Sequence, residues 1–600
     1  MKMNRRSFVK TTAQAGAALA AATRLVATTA TASREPLRQF DYSAVQLTGG
    51  PFAAQYDALR AHYLALSNDR LLKVYRQRAG LPAPGRDMGG WYDLDGFVPG
   101  HTLGQYISGL ARFGASTGDT ACHQKVHDLV DGFAATLGPD NQSILRPQTN
   151  LWICYTLDKH FAGLIDAATL SNIPGARNLL NRVLAGAQPL LPERGHDRIG
   201  KKDPPYDETY VMPENLFTAA ALTGNDAFRE LGRRYLLDRE FFYPLADGAD
   251  PFPGQHAYSH AIALSSGAKA WLVLGDDAYK HAIEHAFTLL TTQQQFASGG
   301  WGPNETFITP HRGELYRSLS STVDHFETPC GAYAATKLAR YLIRFTPAPT
   351  SITHADNLER VLFNTILAVR PPDSDGDYPY YSTYSPVATK VFYSKKWPCC
   401  SGTLAQTVAD YPLNLYFKSD DGLYVNLYTP SRLRFTHAGT RVELTQDTRY
   451  PAEDTTTLIL HPASPTNFSV YLRMPAWLTQ SATIKLNGKP LPAPARPGTY
   501  AAIHRTWRAG DRLELSLPQS FRTEAIDDLH PETVALMRGP VQYVAVSPTP
   551  ELSSERFALP AGLKQTGPQS FVENYSGSQV TFVPLHEIQN ETYTTYFTKA

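Results

Sequence analysis

Cysteine is scarce in this chain: five residues in 600, namely Cys122, Cys154, Cys330, Cys399 and Cys400. So few cannot cross-brace a 66.2 kDa protein, which excludes a disulfide scaffold. Excess charge is missing too. Lys plus Arg number 56 and Asp plus Glu 55, for a net charge of +1. Without a basic run beyond the first residues, no surface for nucleic acid or another polyanion is expected. Long apolar runs are absent as well, so no membrane span is expected; the stretch "TTAQAGAALAAAT" near the start is too short and too weakly apolar. A βαβ rhythm is lacking throughout, which argues against a parallel doubly wound sheet. Aromatic residues, by contrast, are plentiful at 11%, with 32 Tyr. That suits either sugar stacking or a β-rich core.

What is present divides the chain. Residues 1–32 read as an address: Arg5 and Arg6 in "NRRSFVK" precede the weak apolar stretch, and "ATA" stands just before Ser33. This is the pattern of a twin-arginine signal peptide, so a periplasmic or secreted protein is expected. The segment 33–51 alternates and is expected to return as a strand of a later β-unit. From 52 to 420 apolar residues recur at i, i+3, i+4 and i+7, as in "HTLGQYISGLARFGAST" and "GAYAATKLARYLIRF". Helix pairs repeated over such a length predict an (α/α)6 barrel. From 421 to 545 short alternating runs such as "TTTLILHP" and "DRLELSLP" predict a β-sandwich. Residues 546–600 read as a further β or loop extension. The fold class is therefore mixed and multidomain.

The adjacent pair Cys399–Cys400 in "WPCCSGT" raises the question of chemistry. A disulfide between neighbours is strained, because Cα atoms about 3.8 Å apart fall below the usual window. Two inert buried thiols are a second reading. A metal or catalytic thiolate site is a third, since thiolates favour a soft cation such as zinc. "ETPCGAY" brings a further thiol, Cys330, and a carboxylate, Glu327, to a predicted helix start, with Thr328 as cap and Pro329 in the first turn.

Five blocks in order carry a resemblance. "NDRLLKVYRQRAGLP", "GHTLGQYISGLARFGASTGD", "YTLDKHFAGLIDA", "QHAYSHAIALSSG" and "ETPC…WPCCSGT" resemble glycoside hydrolase family 127 and its sister family 146, which include β-L-arabinofuranosidases. The resemblance implies a retaining exo-glycosidase acting on furanosides, in which a zinc-bound cysteine thiolate attacks the anomeric carbon. It carries the nucleophile to Cys399 and the Zn2+ ligands to Glu327, Cys330, Cys399 and Cys400. Pro329 makes the Glu–Cys interval three where the family has two. The acid/base falls on Glu305 in "SGGWGPNETF", with Glu314 in "HRGELY" as alternative.

Substrate contacts implied by the same resemblance are His256, Glu359, Tyr381 (or Tyr384), His101 and Asp158. By themselves His256 reads as a core histidine and Glu359 as an exposed helix charge. Asp158 stands where relatives have His, and Met212 near another lost His, which predicts a shifted glycone preference. The expected partner is an oligo- or polysaccharide, β-L-arabinofuranosidic by preference; a β-galactofuranoside, a branched pectic sugar and a non-catalytic zinc-containing sugar binder are the alternatives. A homodimer is left open.

Overall fold

The computed structural model describes residues 33–145, 152–197, 207–321, 329–346, 351–373, 375–380, 383–384, 387–492, 494–546, 556–575 and 578–600. The expected signal peptide, 1–32, lies outside them.

Helix pairs dominate to residue 415. Each of three pairs turns on the same two residues. Gly118, Gly224 and Gly275 end their helices in the left-handed conformation, at φ 71°, 73° and 81°. Asp119, Asn225 and Asp276 then cap the next helix by accepting from a backbone N–H two residues on. A glycine costs little at that φ, and each cap contributes about 1 kcal/mol.

Six helices of the described residues close an inner ring: Leu103–Thr117, Ile153–Thr169, Pro213–Thr223, Ala257–Leu274, Pro329–Phe345 and Cys400–Ala409, the last packing back on the first. Outside them lie Thr120–Ala135, Ala176–Ala187, Asp226–Arg234, Asp277–Leu289 and Ile352–Val361, with Gly50–Ala65 behind the closing helix. This is the expected (α/α)6 barrel. The first two inner helices touch backbone to backbone. A Cβ at Gly104 would sit 1.9 Å from the Lys159 carbonyl oxygen, and one at Gly163 would sit 2.4 Å from that of Gly104. Any side chain at either position would push the ring open.

The β-rich part holds three sheets. Five strands run in the order Arg38–Gln39, Tyr416–Lys418, Gly422–Val425, Thr466–Met474, Thr499–Trp507. Seven run from Lys489–Pro490 through Thr483–Leu486, Asp511–Ser516, Thr455–Pro462, Thr440–Thr448 and Ser431–His437 to Val45–Leu47. Inward residues such as Leu444, Leu458, Phe468, Leu472 and Leu513 alternate with exposed ones and fill a common core. The alternating N-terminal segment thus supplies an edge strand to each sheet: Arg38 pairs with Lys418 and Val45 with Leu433.

The third sheet takes strands from Phe521–Ala525 to Phe597–Lys599. The expected division at 545 is therefore corrected. Thr533–Arg538 and Val541–Val546 pair with one another and with strands beyond 556, and the change of sheet falls between Ser516 and Phe521. Alternation shows that a run is a strand but not which sheet it joins. This sheet packs Ile526, Met537 and Tyr596 against Phe296, Ile308 and Leu315 of the barrel. Among the described residues no helix is long and apolar enough to cross a membrane.

Candidate active site

Residues at or just ahead of the N-terminal ends of five inner helices line one cavity of about 220 Å³, and Cys330 at the start of the sixth touches its wall through Cys399. Such ends carry partial positive charge, so anionic side chains gather there at reduced cost. His256 caps one helix, accepting at Nδ1 from the Ser259 N–H. Cys330 lies in the first turn of Pro329–Phe345, and Cys399 immediately precedes Cys400–Ala409. Glu208 lies just ahead of Pro213–Thr223.

No vicinal disulfide forms; all five cysteines are free and buried. Cys330 Sγ lies 3.4 Å from Cys399 Sγ and 3.2 Å from Cys400 Sγ. The three sulfurs fall within 4.8 Å of one another, a group that could hold a metal ion. Thr403 Oγ1 lies 3.2 Å from Cys330 Sγ, and the Tyr380 carbonyl oxygen 3.9 Å from Cys400 Sγ. Burial opposes ionisation of Cys399 and Cys400 alike. For Cys399 the thiol hydrogen bonds from Cys330 and Cys400 and the Tyr380 hydroxyl outweigh it, and its pKa falls well below the usual thiol range. Burial and the two other sulfurs push Cys400 up instead. Of the two adjacent thiols, Cys399 is the one whose surroundings favour ionisation, and it lines the cavity.

Glu305 lies across the same cavity. Its loop is held in an unfavourable conformation, with Asn304 and Glu305 at φ 55° and 57°. Two backbone bonds lock it: the Glu305 N–H donates to the Gly302 carbonyl at 2.9 Å, and the Ala257 N–H to the Glu305 carbonyl at 2.8 Å. The loop is therefore pinned to the helix that His256 caps. Glu305 Oε2 lies 3.8 Å from His256 Nε2. Burial raises the carboxyl pKa, but His256 and the Tyr380 hydroxyl overcome that and hold it low. Trp91, Phe97, Trp152, Tyr155 and Tyr393 complete the walls.

The expected residues do not all meet here. Glu305, Cys399 and His256 line the cavity; Glu314 does not. It starts the helix Glu314–Ser321 and accepts from the Thr309 N–H at 3.0 Å. His101 stands behind the wall, fully buried, with Nδ1 2.7 Å from the Val98 carbonyl oxygen and its ring stacked on Tyr155. Burial and Lys159 lower its pKa to about 4, so it is neutral near Cys399.

Two expectations are corrected. Glu359 is neither exposed nor in the cavity. It is fully buried against Arg473 Nη2 at 2.5 Å, accepts from the Tyr450 hydroxyl at 2.8 Å and from Trp477 Nε1 at 3.2 Å, and joins the barrel to the β-sandwich. Asp158 also lies away from the cavity, one turn along Ile153–Thr169, where Asn215 Nδ2 donates to its Oδ1 at 2.7 Å. Motif spacing does not show which way a helical side chain turns. Met212 is likewise buried core. Tyr384 bonds Ser298 Oγ at 2.6 Å under the third sheet, away from the cavity. Tyr381 and Glu327 lie outside the described residues; Tyr380, next to the expected tyrosine, is the one that lines the cavity.

Glu208, which no motif or spacing marks, also lines the cavity. It is fully buried, with Oε1 3.7 Å from His256 Nδ1, in a segment with no periodicity to mark it.

Comparison with known proteins agrees with this architecture. A model described as β-L-arabinofuranosidase, GH127 catalytic domain, matches residues 44–413, and one for the GH127 middle domain matches 422–519. A non-reducing end β-L-arabinofuranosidase of Bifidobacterium longum subsp. longum is 24% identical over 477 residues, 74% of this chain. The chain spans 64% of that relative's length. Among solved structures, a β-L-arabinofuranosidase from Geobacillus stearothermophilus T6 superposes with TM-score 0.72 at 18% identity, covering 93% of this chain and 100% of the other. A second β-arabinofuranosidase gives the same score and identity over 94% and 98%. Since the catalytic-domain model alone spans more than half of the residues, the chain belongs to glycoside hydrolase family 127.

Proposed function

We propose that the chain is an exported, retaining exo-glycosidase acting on β-L-arabinofuranosides, with Cys399 as nucleophile and Glu305 as acid/base. One observation carries this reading: an ionisable thiol backed by two further thiols faces a carboxylate across a cavity of single-sugar size. In the first step the Cys399 thiolate attacks the anomeric carbon, a C–S bond forms, and the glycosidic C–O bond breaks. Glu305 gives its proton to the departing oxygen. In the second step Glu305 takes a proton from water, the water oxygen attacks the same carbon, and the C–S bond breaks to return the thiolate. Two inversions at one carbon retain configuration.

The resting carboxylate of Glu305 must gain a proton before the first step. A glycone filling the cavity expels water, which strengthens the burial effect that already favours the protonated form. His256 and Tyr380 orient the carboxylate from the protein side.

The donor set fits zinc: three clustered sulfurs at helix starts, with Glu327 proposed as a fourth ligand. Cys330, Cys399 and Cys400 would hold the ion, which when bound supplies a positive charge that keeps the thiols ionised. Export is inferred from Arg5 and Arg6.

Kinetics on a panel of aryl furanosides test the reading, together with mass spectrometry after a furanose-mimicking electrophile. Turnover with a label on Cys399 supports it; labelling without turnover on any furanoside overturns it. Periplasmic fractionation of the wild type and an Arg5→Lys/Arg6→Lys variant tests export.

A further inference from the structure

A larger cavity, about 670 Å³, opens where the barrel meets both β-units. One wall is the π-helical turn Leu290–Gln294, which aims Thr291, Thr292 and Gln293 at it. Irregular turns of this kind are enriched at functional sites. A second wall is Trp477. Its indole N–H is tied to Glu359 and Tyr450 stacks on its ring at 6.5 Å, so the ring is held in place where it lines the cavity. The floor is a fixed fork: Arg360 donates to both oxygens of Glu524, at 2.6 and 2.9 Å, and Arg522 donates to the same carboxylate at 2.8 Å.

The lining discriminates among ligands. An apolar molecule would strip water from the Gln293 carboxamide, the accepting Thr291 and Thr292 oxygens and the lining carboxylates without replacing its hydrogen bonds. An anionic one would meet five carboxylates, among them Glu314, Asp527 and Asp528, against two guanidinium groups. A polyol both donates and accepts, and presents C–H faces to an indole. The cavity has room for several sugar units, being three times the catalytic one. Phe296, Ala297 and Ile308 line it, and they belong to the loop that offers Glu305 to the catalytic cavity.

We propose that this cleft is a second, non-catalytic binding site for a neutral oligosaccharide, placed to hold a glycan polymer beside the catalytic loop. It concerns binding alone and stands whichever glycoside the catalytic cavity cleaves.

The test is affinity electrophoresis of the full-length chain in branched arabinan, galactan, arabinogalactan and, as the anionic control, polygalacturonate. Exposed Ala525 is changed to Trp to fill the cleft, and Gln293 to Ala to remove one polar partner. At least one neutral polymer should retard the wild type more than polygalacturonate does. Ala525→Trp should weaken that binding about tenfold by steric exclusion, and Gln293→Ala about threefold, as for one hydrogen bond. Turnover of a small aryl glycoside should stay within about twofold for both, because neither residue touches the catalytic cavity. Absence of retardation by every neutral polymer, equal retardation by polygalacturonate, or wild-type affinity in both variants overturns the proposal. Gln293→Ala removes no core contact, so the outcome stays readable if Ala525→Trp folds poorly.

Discussion

Glu305 and His256 face each other at 3.8 Å, Oε2 to Nε2, while the opposite ring nitrogen of His256 lies 3.7 Å from Glu208. The proposed acid/base thus faces a histidine whose ring is fixed as a helix cap, its Nδ1 accepting from the Ser259 N–H at 3.3 Å, with a second, buried carboxylate nearby. Glu305→Gln should lower kcat/KM on substrates with poor leaving groups by about 10²–10⁴-fold. Activated aryl glycosides should lose far less in the glycosylation step, since their leaving groups need no proton. Glu314→Gln should stay near wild type. A comparison of leaving-group dependence among the three proteins checks this.

The three clustered sulfurs make metal content measurable apart from activity. Elemental analysis of protein purified without chelators should find about one zinc per chain. Cys330→Ser and Cys400→Ser should lower that occupancy, while Cys122→Ser, at a cysteine buried elsewhere, should not. Cys399→Ser should abolish turnover, because a serine hydroxyl is scarcely ionised at neutral pH.

Arg473 and Glu359 make a fully buried ion pair between barrel and sandwich. Arg473→Met leaves the Glu359 charge uncompensated and should cost about 3–5 kcal/mol. A Tm measurement reads that loss. KM for an aryl glycoside should hold in whatever fraction stays folded, which distinguishes an interdomain tie from a sugar contact.

Burial raises the Asp158 pKa to about 6, from 3.8. With the folded-state value above the unfolded one, the native chain binds the extra proton between about pH 4 and 6. Stability is then full below that window and falls as pH rises through it, by about 3 kcal/mol at most. Asp158→Asn should raise Tm at pH 7–8 and lose its advantage near pH 4. Thermal scans across pH, with Asn215 still able to donate to the new side chain, check the sign.

The barrel, the cysteine cluster and the Glu305 loop that meets it across the cavity could be read from the chain because each leaves a local mark. Helical periodicity repeats, Gly-Asx pairs punctuate it, and Cys399–Cys400 and Gly299–Gly300 are unusual over a few residues. Glu208 leaves no such mark; it counts only because His256 folds over it. Glu359 was misplaced for the converse reason: its partners Arg473, Tyr450 and Trp477 belong to another unit, and no local pattern predicts an ion pair formed by docking. The third sheet was divided wrongly because pairing between remote strands is not written in either one.

The segment Arg38–Leu47 covers a sheet edge with each of its two short strands, and Arg38 also pairs with Asp420 at 2.5 Å. It is made early, yet its partners lie at residues 416–437, so it must wait for most of the chain before it docks. Contacts so distant in sequence form slowly. Until they do, two rows of unpaired backbone groups stay open to other molecules. Self-association of newly made chains is therefore governed by how fast ten residues at the front find two edges near the back.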